Sequence, residues 1–99
     1  MARIRPGVVS VVLVNFRGTD DTITAVRGLE ELDWPSDRYD VILVENGSGD
    51  DSADRLRAAL PNIQLIVSTA NLGFAGGCNL GAKQATGEYL AFLNNDARP

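Results

Sequence analysis

Four short apolar runs, separated by segments with helical spacing, dominate the pattern of the chain. The runs span residues 8–14, 39–44, 63–67 and 89–93. Each has the length of a strand and ends in polar or glycine-rich sequence, so we predict four buried β-strands. The first is almost wholly apolar and rich in valine, which is typical of a central parallel strand covered on both faces.

The segments between these runs predict three helices, over residues 20–32, 52–60 and about 75–86. Apolar side chains recur at about helical spacing in the first of them. Residues 71–77 are predicted to form a glycine-rich loop before the third helix, and Gly87 its C-cap.

The resulting order β-α-β-α-β-α-β predicts an α/β fold, a three-layer Rossmann-like parallel sheet with strand order 3-2-1-4. The fourth strand would then lie at an edge although its sequence is that of a buried strand. An apolar edge strand tends to pair with another chain. We therefore expect either a homodimer through this strand or a sequence that is the first half of a longer fold.

Composition limits the classes of function. The chain has 99 residues, enough for one small domain, and 44% of them are hydrophobic. The net charge of −4 argues against nucleic-acid binding, which requires a basic face. It does not exclude an anionic small ligand, because backbone N–H groups at helix starts hold phosphate without net positive charge. With no His and a single Cys, catalysis by a Ser-His or Cys-His pair is absent.

The expected location is cytoplasmic. No apolar run approaches the roughly 20 residues of a membrane span, and the basic start is followed by a strand pattern rather than by a signal-peptide core. A position against the inner face of the membrane is compatible with this expectation.

Three of the predicted strands have exits rich in polar residues, at positions 14–16, 45–48 and 94–96. The carboxyl ends of parallel strands meet at one edge of a sheet, where open α/β folds place ligands. Asp96 is the best candidate for a carboxylate facing a metal or phosphate. The glycine-rich loop matches neither the dinucleotide fingerprint nor the P-loop, so taken alone it indicates a tight turn.

Four segments, in this order and spacing, resemble glycosyltransferase family 2, the inverting enzymes with the GT-A fold. They are VVLVNF at 11–16, VENGS at 44–48, NLGFAGGCNLG at 71–81 and LNND at 93–96. The resemblance extends over almost the whole chain from Val8 and is strongest to the rhamnosyltransferase-like and galactofuranosyltransferase-like branch. It implies that residues 1–99 are the nucleotide-sugar-binding half of a GT-A domain.

The resemblance also implies site residues. Those that would bind the nucleotide sugar are Val14, Asn15, Phe16, Glu45, Asn46, Asn71, Gly73, Asn94 and Asn95. The ring of Phe16 would stack on the base, and Asn46 stands where relatives use an Asp to bind a pyrimidine. Asn94 takes the place of the first Asp of the D-x-D motif and would face the ribose or sugar.

Asp96 would hold a divalent metal, Mg²⁺ or Mn²⁺, that bridges the donor diphosphate. Such an ion needs few protein carboxylates when phosphates supply the other oxygen ligands, and it neutralises the leaving group. The implied partners are a dTDP- or UDP-linked sugar and a saccharide or lipid-linked acceptor. The implied pathway is the synthesis of bacterial surface polysaccharide.

No carboxylate in the chain matches the catalytic base of the family, which we expect beyond residue 99. We therefore expect donor binding without turnover by this chain alone. Two alternatives remain. One is a non-catalytic nucleotide-binding or protein-interaction module. The other is a sugar nucleotidyltransferase, which would require a glycine-rich loop after the first strand, where this sequence has Asn15-Phe-Arg-Gly-Thr.

Overall fold

A computed structural model describes residues 4–32, 35 and 37–94. The elements follow the predicted alternation of strands and helices. They are β1 (Arg5–Asn15), α1 (Thr19–Glu30), β2 (Tyr39–Asn46), α2 (Ser52–Ala59), β3 (Gln64–Ser68), α3 (Gly73–Gln84) and β4 (Gly87–Asn94).

The four strands form one parallel sheet in the order β3-β2-β1-β4, which confirms the predicted topology. In the middle of the sheet Leu13 of β1 pairs with Leu43 of β2 on one side and Leu93 of β4 on the other. The parallel arrangement places the carboxyl ends of all four strands at a single edge, here called the carboxyl edge.

Helices cover both faces of the sheet and make it a three-layer fold. On one face α1 and α2 pack on alternate residues of the two central strands, with a buried core made up of Val11, Leu13, Ala25, Val26, Val41, Leu43, Leu56 and Leu60. On the other face α3 approaches so closely that a Cβ at Gly81 would lie 2.5 Å from Cγ1 of Val12 and 3.2 Å from Cγ2 of Val44. Small residues on α3 therefore set the distance between that helix and the sheet.

Two local predictions are wrong. The helix α3 begins at Gly73, so most of the predicted loop 71–77 is its first turn. Gly87 is not a C-cap. The helix ends at Gln84 with Ala85 already extended, and Gly87 opens β4, where its N–H donates to Ser10 Oγ at 2.9 Å. A Cβ at Gly87 would lie 2.7 Å from the backbone of β1, so the residue is glycine because the strands approach there.

The outer strand β4 is less covered than the other strands. Leu90 and Phe92 point to the face that carries α3, paired with Ser10 and Val12, yet nearly half of each is exposed. Tyr89, on the opposite face, is more exposed still. Within the described residues, no helix is long and apolar enough to cross a membrane.

Candidate functional site

Asn15 ends β1 inside a buried polar cluster at the carboxyl edge. Its Oδ1 accepts a hydrogen bond from Thr22 Oγ1 at 2.7 Å, and its Nδ2 donates to Glu45 Oε1 at 3.1 Å and to Thr19 Oγ1 at 3.3 Å. The side chain is fully buried. Asn15 thus ties the exits of β1 and β2 to the first turns of α1.

Glu45 is a buried carboxylate whose hydrogen bonds come from neutral donors. Besides Asn15 Nδ2, it accepts the N–H of Ser48 at 3.2 Å and the hydroxyl of the same serine. A buried carboxylate is tolerated only when hydrogen bonds replace its hydration. These bonds hold the buried Glu45 carboxylate between Asn15 and Ser48.

Asn46 holds the segment that leads into α3. Its Nδ2 donates to the carbonyl of Gly73 at 3.0 Å and to Oδ1 of Asn71 at 3.3 Å, while its Oδ1 accepts the N–H of Leu72 at 3.1 Å. The side chain is 1% exposed. Both amide hydrogens are thereby engaged within the protein, so the structure gives Asn46 a loop-holding role. The contact with a base that the resemblance implies stays a prediction.

Gly47 lets the exit of β2 touch the chain that follows β3. Its φ is +77°, and a Cβ there would lie 2.3 Å from the carbonyl carbon of Ala70 and 2.4 Å from the nitrogen of Asn71. Only glycine combines this conformation with so close a backbone contact. Together Asn46 and Gly47 place Asn71 and Gly73 beside the carboxyl edge.

Val14 and Phe16 occupy different environments. Val14 is buried beneath α3, where a Cβ on Gly77 would lie 2.8 Å from its Cγ1. Phe16 lies just past the end of β1 and is 38% exposed. The guanidinium carbon of Arg17 lies 5.0 Å from the centroid of the Phe16 ring, within range of a cation–π interaction.

The amino ends of α1 and α2 meet beside the exits of β1 and β2. Their first residues, Thr19 and Ser52, share a hydrogen bond between hydroxyls at 2.7 Å. The N–H of Ser52 donates to Asp50 Oδ1 at 2.9 Å, and the hydrogen bonds from Ser52 lower the pKa of the Asp50 carboxyl. Because that pKa is lowered on folding, Asp50 contributes stability that is present above its ordinary pKa of 3.8 and is lost as the pH falls below it.

A polar depression of about 360 Å³ lies next to these helix ends. It is lined by Arg17, Gly18, Thr19, Asp20, Asp21, Asp50 and Arg55. An apolar cavity of about 170 Å³ lies at the opposite edge and is lined by Val9, Val11, Leu29, Leu32 and Tyr39. The carboxyl edge therefore carries the exposed ring of Phe16 and a depression lined by two arginines and three aspartates.

The metal prediction falls outside the described residues. Asn94, the last residue of β4, pairs with Val14, and Asn95 and Asp96 follow it outside that range. Among residues 4–32, 35 and 37–94 no group of three acidic or Cys side chains could hold a metal ion. A metal at Asp96 remains a prediction, as do the sugar-facing roles of Asn94 and Asn95.

Small polar residues join the strand exits, and the sequence pattern does not single out this role. These are Thr19, Thr22, Ser48 and Ser52, all buried and hydrogen-bonded at the carboxyl edge. Their signal is weak, because serine and threonine at strand ends and in first helical turns are common for reasons of local backbone bonding. What distinguishes them is the distant residue to which each is hydrogen-bonded, and that residue cannot be identified from the sequence.

Curated relatives of the chain are glycosyltransferases. It is 27% identical over 94 residues to the glycosyltransferase AglE of Haloferax volcanii, an alignment that covers 92% of this chain and 31% of AglE. It is 32% identical to the amylovoran biosynthesis glycosyltransferase AmsB of Erwinia amylovora, with 88% of this chain and 30% of AmsB covered. The chain thus spans less than a third of the length of these two relatives.

Solved structures share the fold. The mannosyltransferase PcManGT from Pyrobaculum calidifontis, in complex with GDP-Man and Mn²⁺, superposes with a TM-score of 0.80 at 24% identity, covering 91% of this chain and 28% of the other. S. aureus TarS 1-349 in complex with UDP-GlcNAc gives a TM-score of 0.73 at 26% identity, with 90% and 26% covered. The sheet order 3-2-1-4 with its helices is therefore that of the amino-terminal part of GT-A glycosyltransferases.

A family profile matches most of the chain. The profile described as Glycosyl transferase family 2 matches residues 10–99, which contain all four sequence motifs in full. The strand order, the converging exits and the curated relatives agree with it. The chain belongs to glycosyl transferase family 2.

Proposed function

We propose that this chain binds the nucleoside-diphosphate-sugar donor of an inverting glycosyltransferase, which transfers the sugar to an acceptor hydroxyl. The observation that carries the proposal is the carboxyl edge itself. The exits of β1 and β2 and the segment before α3 are joined there by side-chain hydrogen bonds. In an open α/β sheet this edge is where nucleotides bind.

Two features of the carboxyl edge suit the base and the ribose or sugar of the donor. The half-exposed ring of Phe16 offers a stacking surface to a base. The segment Asn71–Gly73, held by Asn46, would lie beside the ribose or sugar. Relatives bear on the donor class, because S. aureus TarS has been solved with UDP and with UDP-GlcNAc, and PcManGT with GDP-Man.

Asp96, with Asn94 and Asn95 before it, is the proposed holder of Mg²⁺ or Mn²⁺. A metal bound there would neutralise the diphosphate as it leaves. We propose that the chain belongs to the rhamnosyltransferase-like branch of the family. The name of AmsB supports a role in biosynthesis, and we propose bacterial surface polysaccharide as the product and a dTDP- or UDP-linked sugar as the donor.

Thermal stability tests this proposal. The melting temperature is measured with UDP, dTDP and GDP, each with and without Mn²⁺, for the wild type and for Asp96→Ala. A ligand at about 10 times its Kd should raise the melting temperature of so small a domain by several degrees. We expect one nucleotide to do so in a metal-dependent way and the variant to lose the metal dependence.

The alternative of a pure protein-interaction module predicts no nucleotide- and metal-dependent stabilisation of a folded chain. Sugar transfer by the 99-residue chain alone would contradict our further expectation that it binds donor without turnover. A rise in melting temperature that is the same in Asp96→Ala would contradict the metal assignment while leaving donor binding intact.

The uncovered face of β4 supports a separate proposal about partners. Leu90 and Phe92 form an exposed apolar pair on an edge strand, which favours pairing with a second copy. Sedimentation at rising concentration should then show a dimer in the wild type and a monomer in Phe92→Lys. A wild type that stays monomeric at high concentration would contradict it.

A further inference from the structure

Ser48 links the exits of β1 and β2 through hydrogen bonds to Arg17 and Glu45. It is 3% exposed. Its hydroxyl donates to Glu45 and accepts the N–H of Arg17 at 2.9 Å, and its N–H donates to the same carboxylate at 3.2 Å. Its carbonyl accepts a hydrogen bond from Arg17 Nε at 3.4 Å. The buried Glu45 thus anchors Ser48, and Ser48 contacts both the backbone and the side chain of Arg17.

Arg17 adopts a backbone conformation that needs such support. Among the described residues it is the one non-glycine residue with a positive φ, which is +58°. The left-handed region is unfavourable for an L-residue other than glycine. The two hydrogen bonds to Ser48 stabilise this turn.

The preceding residue is Phe16, the exposed aromatic ring at the carboxyl edge. The guanidinium of Arg17 lies over that ring at 5.0 Å from its centroid. A planar cation over one face of a ring restricts its rotamers, and Phe16 is still 38% exposed. The contacts therefore form a series in which Glu45 binds Ser48, Ser48 binds Arg17, and Arg17 lies over Phe16.

We propose that Ser48 and Arg17 are positioning residues for the base of the donor nucleotide. Ser48 holds Arg17 in the left-handed turn, and Arg17 holds the Phe16 ring so that one face is presented to the base. This inference rests on the proposed function. It assigns the two residues to recognition of the base and gives them no part in binding the diphosphate.

Binding of two probes tests the assignment. Affinities for UDP and for inorganic pyrophosphate, both with Mn²⁺, are measured by calorimetry for the wild type, Ser48→Ala and Arg17→Gly. Glycine adopts a positive φ freely, so Arg17→Gly removes the guanidinium without straining the turn. We expect each variant to bind UDP roughly 5-fold more weakly, the loss expected from one cation–π contact, and to bind pyrophosphate as the wild type does. GDP and dTDP replace UDP if they bind more tightly.

Two further variants sharpen the test. In a Phe16→Ala background, Ser48→Ala should cost no further UDP affinity, because its target ring is gone. Ser10→Ala is the matched control, since Ser10 is equally buried but lies toward the other end of β1, where it accepts the N–H of Gly87. It should leave both affinities unchanged. Equal weakening of UDP and pyrophosphate by Ser48→Ala, or an undiminished loss without Phe16, would overturn the proposal.

A ligand-free measurement separates this proposal from the proposed function. Nuclear Overhauser contacts between the Arg17 side chain and the Phe16 ring should be present in the wild type and lost in Ser48→Ala. If they persist in the variant, Ser48 does not position Arg17, whatever the protein binds. If they are lost as expected but the wild type binds no nucleotide, the positioning stands and the donor-binding function fails.

Discussion

Replacing Gly47 with alanine is expected to lower the free energy of unfolding by about 3 kcal/mol or more. A positive φ costs an alanine roughly 1–2 kcal/mol. The added Cβ would also lie 2.3 Å from the carbonyl carbon of Ala70 and 2.4 Å from the nitrogen of Asn71. These are backbone atoms that no rotamer change can move, and overpacking of this kind costs roughly 1–3 kcal/mol more. Urea denaturation measures the difference.

Gly49→Ala is the matched control for this change. Gly49 has nearly the same φ, +76°, but nothing lies within 4 Å of the position its Cβ would take. We expect it to lose only about 1 kcal/mol, the cost of the conformation alone. Equal losses in the two variants would show that the contact between Gly47 and the Ala70–Asn71 backbone does not exist in solution.

Asn46→Ala is expected to cost about 2–3 kcal/mol. The change removes three side-chain hydrogen bonds, to Asn71, Leu72 and Gly73. Each is worth roughly 1 kcal/mol net, and the truncated side chain leaves a gap beneath α3. The freed segment should also exchange its amide hydrogens faster, so urea denaturation and hydrogen exchange at Leu72 and Gly73 check the prediction together.

The control for Asn46→Ala is Asn62→Ala, which replaces an exposed asparagine in the turn before β3. A surface substitution of this kind should change stability by no more than about 0.5 kcal/mol. If Asn46→Ala were equally mild and left exchange at Leu72 unchanged, Asn46 would not hold the segment, and a role in direct contact with ligand would gain weight.

The class of topology could be predicted from the sequence for a physical reason. Buried parallel strands require continuous apolar runs, and their crossovers are almost always right-handed, so few strand orders are compatible with the alternation of elements. The order 3-2-1-4, one of the common doubly wound orders, is the one observed. The ends of elements were less certain. The composition of residues 73–77 suggested a loop, yet these residues begin α3. Gly77 is small because this helix packs closely over Val14.

The site was predictable in place but not in detail. The convergence of the exits of β1 and β2 follows from parallel topology alone. The sequence could not indicate that the side chains of Asn15, Glu45 and Asn46 turn inward, because that depends on partners up to 30 residues away. The role of Arg17 was equally hidden. Its left-handed backbone arises from tertiary hydrogen bonds to Ser48 rather than from local preference.

A titration of ¹⁵N-labelled protein with UDP, dTDP or GDP in the presence of Mg²⁺, followed by amide chemical shifts, locates the bound nucleotide on the fold. We expect the changes to cluster at the carboxyl edge, in residues 15–18, 46–48 and 71–74. Changes centred instead on the opposite edge, around Gly7, residues 38–40 and Asn62, would contradict the account. So would the absence of any change with all three nucleotides in a folded protein.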